Sequence, residues 1–204
     1  MMTITEGLVA LKTLDARIEK EISQTTFSLA NQKGKPIAGY ENVDAFIAKA
    51  KAQYQSILDL IARRNKIKSA IVESNAITKV TIDGVVYSVA GAIERKASIK
   101  YDQMLASTMF QQFQRASRVV EVATGEAQQR LDNLLLSTFG KDAKVDASQI
   151  QSVSDGFWKQ NETILRDPLN TVATVETINR NVQSFLANVD VALSISNATT
   201  FIDV

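Results

Sequence analysis

Apolar positions in the first thirty residues recur at helical spacing. Ile4, Leu8, Leu11, Ile18, Ile22 and Leu29 follow at steps of four, three, seven, four and seven. Asp15 and Thr25 occupy the skipped positions, which makes the pattern a heptad seam with two polar interruptions. Thr3 and Glu6 stand at capping-box spacing and start this helix near Ile4. The segment Asn31-Gln32-Lys33-Gly34-Lys35-Pro36 places Gly and Pro where a helix must stop. Asn42 or Asp44 then caps a second helix, carrying Ile47, Ala50, Tyr54, Ile57, Ile61 and Ile71 and reaching about Asn75. The two runs are matched in length, so an antiparallel helical hairpin is expected over residues 1–75.

The period then changes. Lys79-Val80-Thr81-Ile82 and Val85-Val86-Tyr87-Ser88-Val89 flank Asp83-Gly84, and Asp-Gly between β-branched runs signals a tight hairpin because both turn residues take positive φ. A two-residue turn pairs Ile82 with Val85 and Val80 with Tyr87, putting these four on one face. Lys79, Thr81, Val86 and Ser88 fall on the other. An isolated hairpin is marginal in water, so its apolar face must rest on helices or join another chain's strands.

Helical spacing returns from about Ala90 to Phe139, with Ile93, Tyr101, Met104, Leu105, Phe110, Phe113, Val119, Val120, Val122, Leu131, Leu134 and Leu135 as its apolar face. An unbroken helix of that span is ~75 Å long. Gly125 is a candidate break and Gly140 a candidate C-terminal cap. After a polar loop from Lys141 to Ala147, Asp146 and Gln149 have capping-box spacing for a helix that includes Phe157 and Trp158. Asp167-Pro168 ends it. A last helix begins near Asn170 or Thr171 and carries Val175, Ile178, Val182, Phe185 and Val189. From Ser194 onward the composition is no longer helical, and Thr199 to Ile202 has the residues of a terminal strand.

The expected fold is therefore mostly α: an elongated bundle of long amphipathic helices with one inserted β-hairpin at about 79–89 and a C-terminal strand. Three blocks, 1–75, 76–140 and 141–204, are expected to form one continuous architecture.

Composition narrows the chemistry. The 204 residues are 45% hydrophobic, enough for a packed core, and contain only two prolines and eight glycines. Lys plus Arg number 23 against 22 Asp plus Glu, so overall charge exerts no pull toward nucleic acid or anionic membrane. There is no cysteine, which removes disulfides, thiol nucleophiles and thiolate metal sites. There is no histidine, the commonest general base near neutral pH and the commonest metal ligand. The expectation is a protein that is not an enzyme, with no cofactor and no metal. No apolar run approaches the ~20 residues of a membrane span, and the N-terminus lacks the basic and apolar regions of a signal peptide.

Four features remain as candidate sites. The heptad seam of Ile4, Leu8, Leu11, Ile18, Ile22 and Leu29 is expected at an interface with the same chain or a partner. Met104, Met109, Phe110 and Phe113 form an aromatic-methionine stretch too wide for one buried face, so Met109, Phe110 and Phe113 join that interface set. Arg63, Arg64, Lys66 and Lys68 offer anion contacts, but they spread around their helix and no aromatic interleaves them, which favours a solvated flank. The carboxylates Glu19 with Glu21 and Asp142 with Asp146 lie beside Lys20, Lys141 and Lys144 and read as surface charge. Asp83 and Gly84 form a turn rather than a phosphate loop, which needs several glycines between a strand and a helix. Asn161-Glu162-Thr163 has the spacing of a glycosylation acceptor but no secretory context.

The Asn/Gln/Ser/Thr-rich helix Asn179 to Asn188, the ending Ser194 to Val204, and the hairpin Val80 to Val89 between long helices resemble small helical virion proteins of tailed bacteriophages. The stretch Thr78 to Lys96 also resembles septicolysin-like helical proteins. The phage resemblance implies a multi-copy structural role in a neck, tail, baseplate or capsid surface. Its partners would be further copies and other structural proteins of the particle, and its location the virion, assembled in the host cytoplasm. The alternatives are a coiled-coil adaptor or scaffold in a bacterial cytosol and a weak nucleic-acid binder using Arg63 to Lys68.

Replacing Gly84 by Val forces a β-branched side chain into positive φ. Gly84→Val is expected to lower unfolding free energy by ~1–3 kcal/mol, the scale of strained backbone sites, as read by chemical denaturation. Unchanged stability would refute the turn assignment.

Overall fold

The structure, a computed structural model, describes residues 1–33, 35, 37, 39–140 and 146–204. It is mostly α. Strand β1 (Met2–Thr3) leads into helix α1 (Ile4–Gln24), and α2 (Val43–Ile77) precedes the hairpin of β2 (Lys79–Ile82) and β3 (Val85–Ser88). Helices α3 (Val89–Ser98), α4 (Lys100–Phe139), α5 (Ala147–Asn161) and α6 (Thr171–Thr199) follow, and β4 (Phe201–Ile202) ends the chain. The contacts group these elements into two compact units, one of residues 1–97 with 184–204, the other of residues 98–183.

In the first unit, α1 begins at the expected capping box. The Thr3 hydroxyl accepts from the Glu6 amide at 3.1 Å, and the Glu6 carboxylate accepts from the Thr3 amide at 2.8 Å. Those bonds to Thr3 hold the Glu6 carboxyl below its ordinary pKa. The helix stops at Gln24, earlier than the Gly-Pro signal suggests. Thr25 is extended, and its hydroxyl donates to the Glu21 carbonyl at 2.6 Å, satisfying an end-of-helix acceptor. Leu29 therefore lies beyond the helix, and α1, at 21 residues, is shorter than α2, at 35, so the two are not matched in length. The expected stops Gly34 and Pro36 lie outside the described residues.

Helix α2 starts at Asn42, whose side chain accepts from the Ala45 amide at 2.8 Å. It runs antiparallel to α1: Gly7 lies against Ile67 and Ile71, while Asp15, two turns further along α1, meets Arg64. The buried residues of α1 are Ile4, Gly7, Leu11 and Leu14, at three- and four-residue steps. This corrects the seam read from sequence, because Leu8 and Ile22 are exposed and Gly7 and Leu14 take the buried positions. The core joins Ile4, Leu11 and Leu14 to Ile67, Ile71 and Ile202, with Ile18 half-buried beside them. Full burial of each such aliphatic side chain contributes about 1.5–3 kcal/mol.

Ile202 reaches this core because β4 pairs antiparallel with β1, Met2 opposite Ile202 and Thr3 opposite Phe201. The Ile4 amide extends the ribbon by donating to the Thr200 carbonyl at 3.0 Å. Sequence patterning anticipated β4 but not β1. It also ended α6 too early, since the helix continues through Thr199. The Thr199 hydroxyl turns back to the Ile195 carbonyl at 2.9 Å, so a strand-like composition is accommodated within a helix.

The hairpin has the expected register, with Ile82 opposite Val85 and Val80 opposite Tyr87. Asp83 and Gly84 take φ of 51° and 77°. Its expected apolar face is only partly covered, against the C-terminal part of α6, since Val85 is exposed. Val80 and Ile82 are buried, and the Tyr87 ring meets Phe185 edge-on at 5.8 Å. Asn188 donates to Asp83 at 2.6 Å, fastening the turn to the same helix. Ser88 accepts from the Gly91 amide at 3.0 Å and so caps α3 directly after the strand.

The long helical stretch divides at Ile99, between α3 and α4, and the two units divide just before it, between Ala97 and Ser98. It does not divide at Gly125. One glycine costs a helix interior about 1 kcal/mol, and the helix formers Glu126 to Arg130 that follow sustain the ladder.

In the second unit, α4 buries Ala106, Ala127 and Leu131, with Met109, Phe113, Val120 and Leu135 half-buried on the same side. Most of the large residues expected on its apolar face, among them Tyr101, Met104, Leu105, Val119 and Val122, are exposed. The covered stripe is narrow and uses alanine, because small side chains allow close approach of neighbouring helices. Helix α5 packs on α4 and begins at Asp146, which accepts from the Ser148 amide at 3.1 Å. The start of α6 is fixed by the Asp167 carboxylate, which accepts from the Thr171 amide at 2.9 Å and the Thr171 hydroxyl at 2.8 Å.

Gly7 is the tightest point of the first core. A Cβ there would lie 3.2 Å from Ile71 Cδ1 and 3.3 Å from Ile202 Cδ1. Gly7→Val is expected to destabilise the fold by ~1–3 kcal/mol through overpacking, measured by urea denaturation. Equal or greater stability would mean that the helices have room to separate.

Candidate functional site

Surface, rather than cavity chemistry, is where the described residues concentrate their unusual features. The expected interface set does not come together. Ile4 and Leu11 are buried in the chain's own core, Leu8 and Ile22 face solvent on α1, Ile18 is half-buried, and Leu29 follows the helix end. Met109 and Phe113 line a recess of about 230 Å³ on the second unit, walled on its other side by Leu165, Pro168 and Leu169. Phe110 points instead to a neighbouring recess of about 460 Å³, with Val172 and Val175 from α6. The three residues thus serve two separate hollows, because consecutive positions on a helix diverge by 100°.

A groove of about 600 Å³ runs along the outer edge of β2, between Thr81 and Ile82 on one side and Val191, Ile195 and Thr199 of α6 on the other. Sequence reasoning identified the hairpin but not this groove, which depends on where α6 passes. Asp83 and Gly84 lie at its end as a turn, held by Asn188.

The basic cluster is dispersed. Arg64 donates to Asp15 at 2.9 Å, bridging α2 to α1, and Arg63, Lys66 and Lys68 are exposed at divergent angles. Asp15, a polar interruption in the sequence pattern, gains its explanation here as the partner of Arg64. Glu19 lies exposed on α1 and Glu21 is half-buried near the helix end. The pair Asp142 and Asp146 cannot be placed together, since Asp142 lies outside the described residues, and Asp146 caps α5. Among the described residues, no group of three or more carboxylates is arranged to hold a metal ion, and no helix is long and apolar enough to cross a membrane.

Helix α4 exposes many large apolar side chains. Tyr101, Met104, Leu105, Val119, Val122, Leu134 and Leu136 are all exposed along one helix of 40 residues. Singly exposed apolar residues are ordinary on a protein surface, and it is their accumulation on one element that draws attention to this helix. No family model, curated protein or solved structure matches this chain.

With Arg64 engaged by Asp15, the cluster has three remaining cations to offer phosphates. A fluorescence titration with labelled duplex and single-stranded DNA is expected to show no binding near physiological salt, and at low salt a log–log slope no steeper than about −3. Submicromolar binding at physiological salt, lost on Arg63→Ala with Arg64→Ala, would make this cluster a nucleic-acid site.

Proposed function

We propose that this chain is a non-enzymatic structural or assembly component of a multi-protein particle, and that the particle is a tailed-phage virion. The carrying observation is the exposed apolar series on α4, together with Leu8, Ile22, Tyr54, Val191 and Ile195 on the first unit. So much large apolar surface on regular helices suits a protein whose final burial is completed by neighbours. The absence of histidine and cysteine from the sequence supports a role without catalysis or a cofactor. The virion reading draws its support from the resemblance of Asn179 to Asn188, Ser194 to Val204 and the hairpin between long helices. Its partners are further copies of the chain and other structural proteins of the same particle, and its location is the virion, assembled in the host cytoplasm.

Light scattering on the purified chain tests the assembly reading. Self-association is expected at high micromolar concentration, with mass rising as concentration rises. A compact monomer throughout would count against the reading.

A further inference from the structure

The geometry points to a specific homotypic interface: two copies pair antiparallel through the outer stripe of α4, from Leu105 to Leu136. This inference rests on the assembly reading for its premise that the exposed apolar series is an interface, and goes beyond it in naming the occupant and the register.

The stripe has heptad spacing, with four apolar and six polar positions, and runs from the flank of α4 beside Ala106 to the side opposite Ala127 and Leu131. Leu105, Gln112, Val119, Glu126 and Asn133 hold one position of the repeat, and Thr108, Arg115, Val122, Gln129 and Leu136 the other. All ten are exposed. The apolar members are far from marginal in this respect, with Leu105 at 52%, Val119 at 62%, Val122 at 55% and Leu136 at 46% of full exposure. The seam keeps strict three-four spacing for roughly 45 Å of helix. Sequence periodicity alone obscured it, because the large residues of both sides of α4 appear in one series.

Reversing one copy against another, about a twofold axis centred between Val119 and Val122, matches every layer in kind. Val119 faces the other copy's Val122 in two adjacent central layers. Moving outward, Arg115 faces Glu126, Gln112 faces Gln129, Thr108 faces Asn133, and Leu105 faces Leu136. Apolar residues meet apolar residues, amides and hydroxyls meet one another, and the one cation of the seam meets the one anion. A parallel, in-register pair would instead set Arg115 on Arg115 and Glu126 on Glu126, and like charges at close range are strongly disfavoured. The polar layers weaken the pair and at the same time fix its direction and register. Arg115 and Glu126 cannot satisfy each other within one chain, being separated by ~16 Å of helix rise. Among the described residues, the Glu126 carboxylate meets Arg130 at 4.0 Å, a loose exposed contact.

The chain's lack of cysteine makes the test clean. Sedimentation velocity on the full chain is expected to show Arg115→Glu and Glu126→Arg each weakening dimerisation by about tenfold, and the R115E/E126R double variant restoring it. Circular dichroism checks that helicity is unchanged in all three. Leu105→Cys and Leu136→Cys proteins, mixed and oxidised, are expected to give the mixed disulfide dimer, with neither protein crosslinking to itself. A wild-type chain that associates but ignores the charge variants, or L105C that crosslinks to itself, would overturn this pairing and leave the assembly reading intact. A wild-type chain monomeric at all concentrations would overturn both.

Discussion

The approach of α1 to α2 at Gly7 is the contact on which the first unit depends. With no side chain at this position, Ile67 and Ile71 of α2 reach the surface of α1, and Ile202 fits beside them. Ile202 comes from the far end of the chain, so the same contact fixes where β4 must lie. The β1–β4 ribbon then follows, since two extended segments held side by side satisfy each other's backbone groups. Cap, ribbon and core are mutually dependent: Thr3 is at once a strand residue, the cap of α1 and the neighbour of Ile4 at the core's edge.

A second constraint acts through polar groups at the joints. Asp83 and Asn188 fasten the hairpin turn to α6, Asp167 holds the first turn of α6, and Arg64 links α2 to Asp15. Each is a contact of one or a few hydrogen bonds and modest net energy, but each fixes direction where apolar packing alone leaves it free. Direction matters for the surfaces. The groove along β2 exists because α6 passes the hairpin at that distance, and the outer seam of α4 is open because its inner side packs through alanine.

Packing and proposed function are connected at α4. A helix that buried its large residues would present an ordinary polar exterior. This one covers Ala106, Ala127 and Leu131 and leaves Leu105, Val119, Val122 and Leu136 outside. Under the proposed pairing, burial of that series against another copy would give a use to residues that folding of the single chain leaves exposed.

Local chemistry determined much by itself. The capping pair Thr3 and Glu6, the Asp83-Gly84 turn and its register, a cap for α2 at Asn42 or Asp44, and the start of α6 near Asn170 or Thr171 were legible because each depends on neighbours within a few residues and on rules of backbone geometry, while the structure settled Asn42 and Thr171. The mostly helical class was legible for the same reason. The phase of the seam on α1 was not, because Gly7 contributes nothing to a hydrophobic pattern and gains its role only when Ile71 and Ile202 arrive. Nor was β1, whose two residues have no pattern until β4 lies beside them, nor the end of α6 at Thr199. On α4, periodicity showed that apolar residues were plentiful but not which side the fold would cover. That choice belongs to the tertiary structure, because burial depends on which partner surface reaches a helix, and spacing along one chain carries no record of the partner.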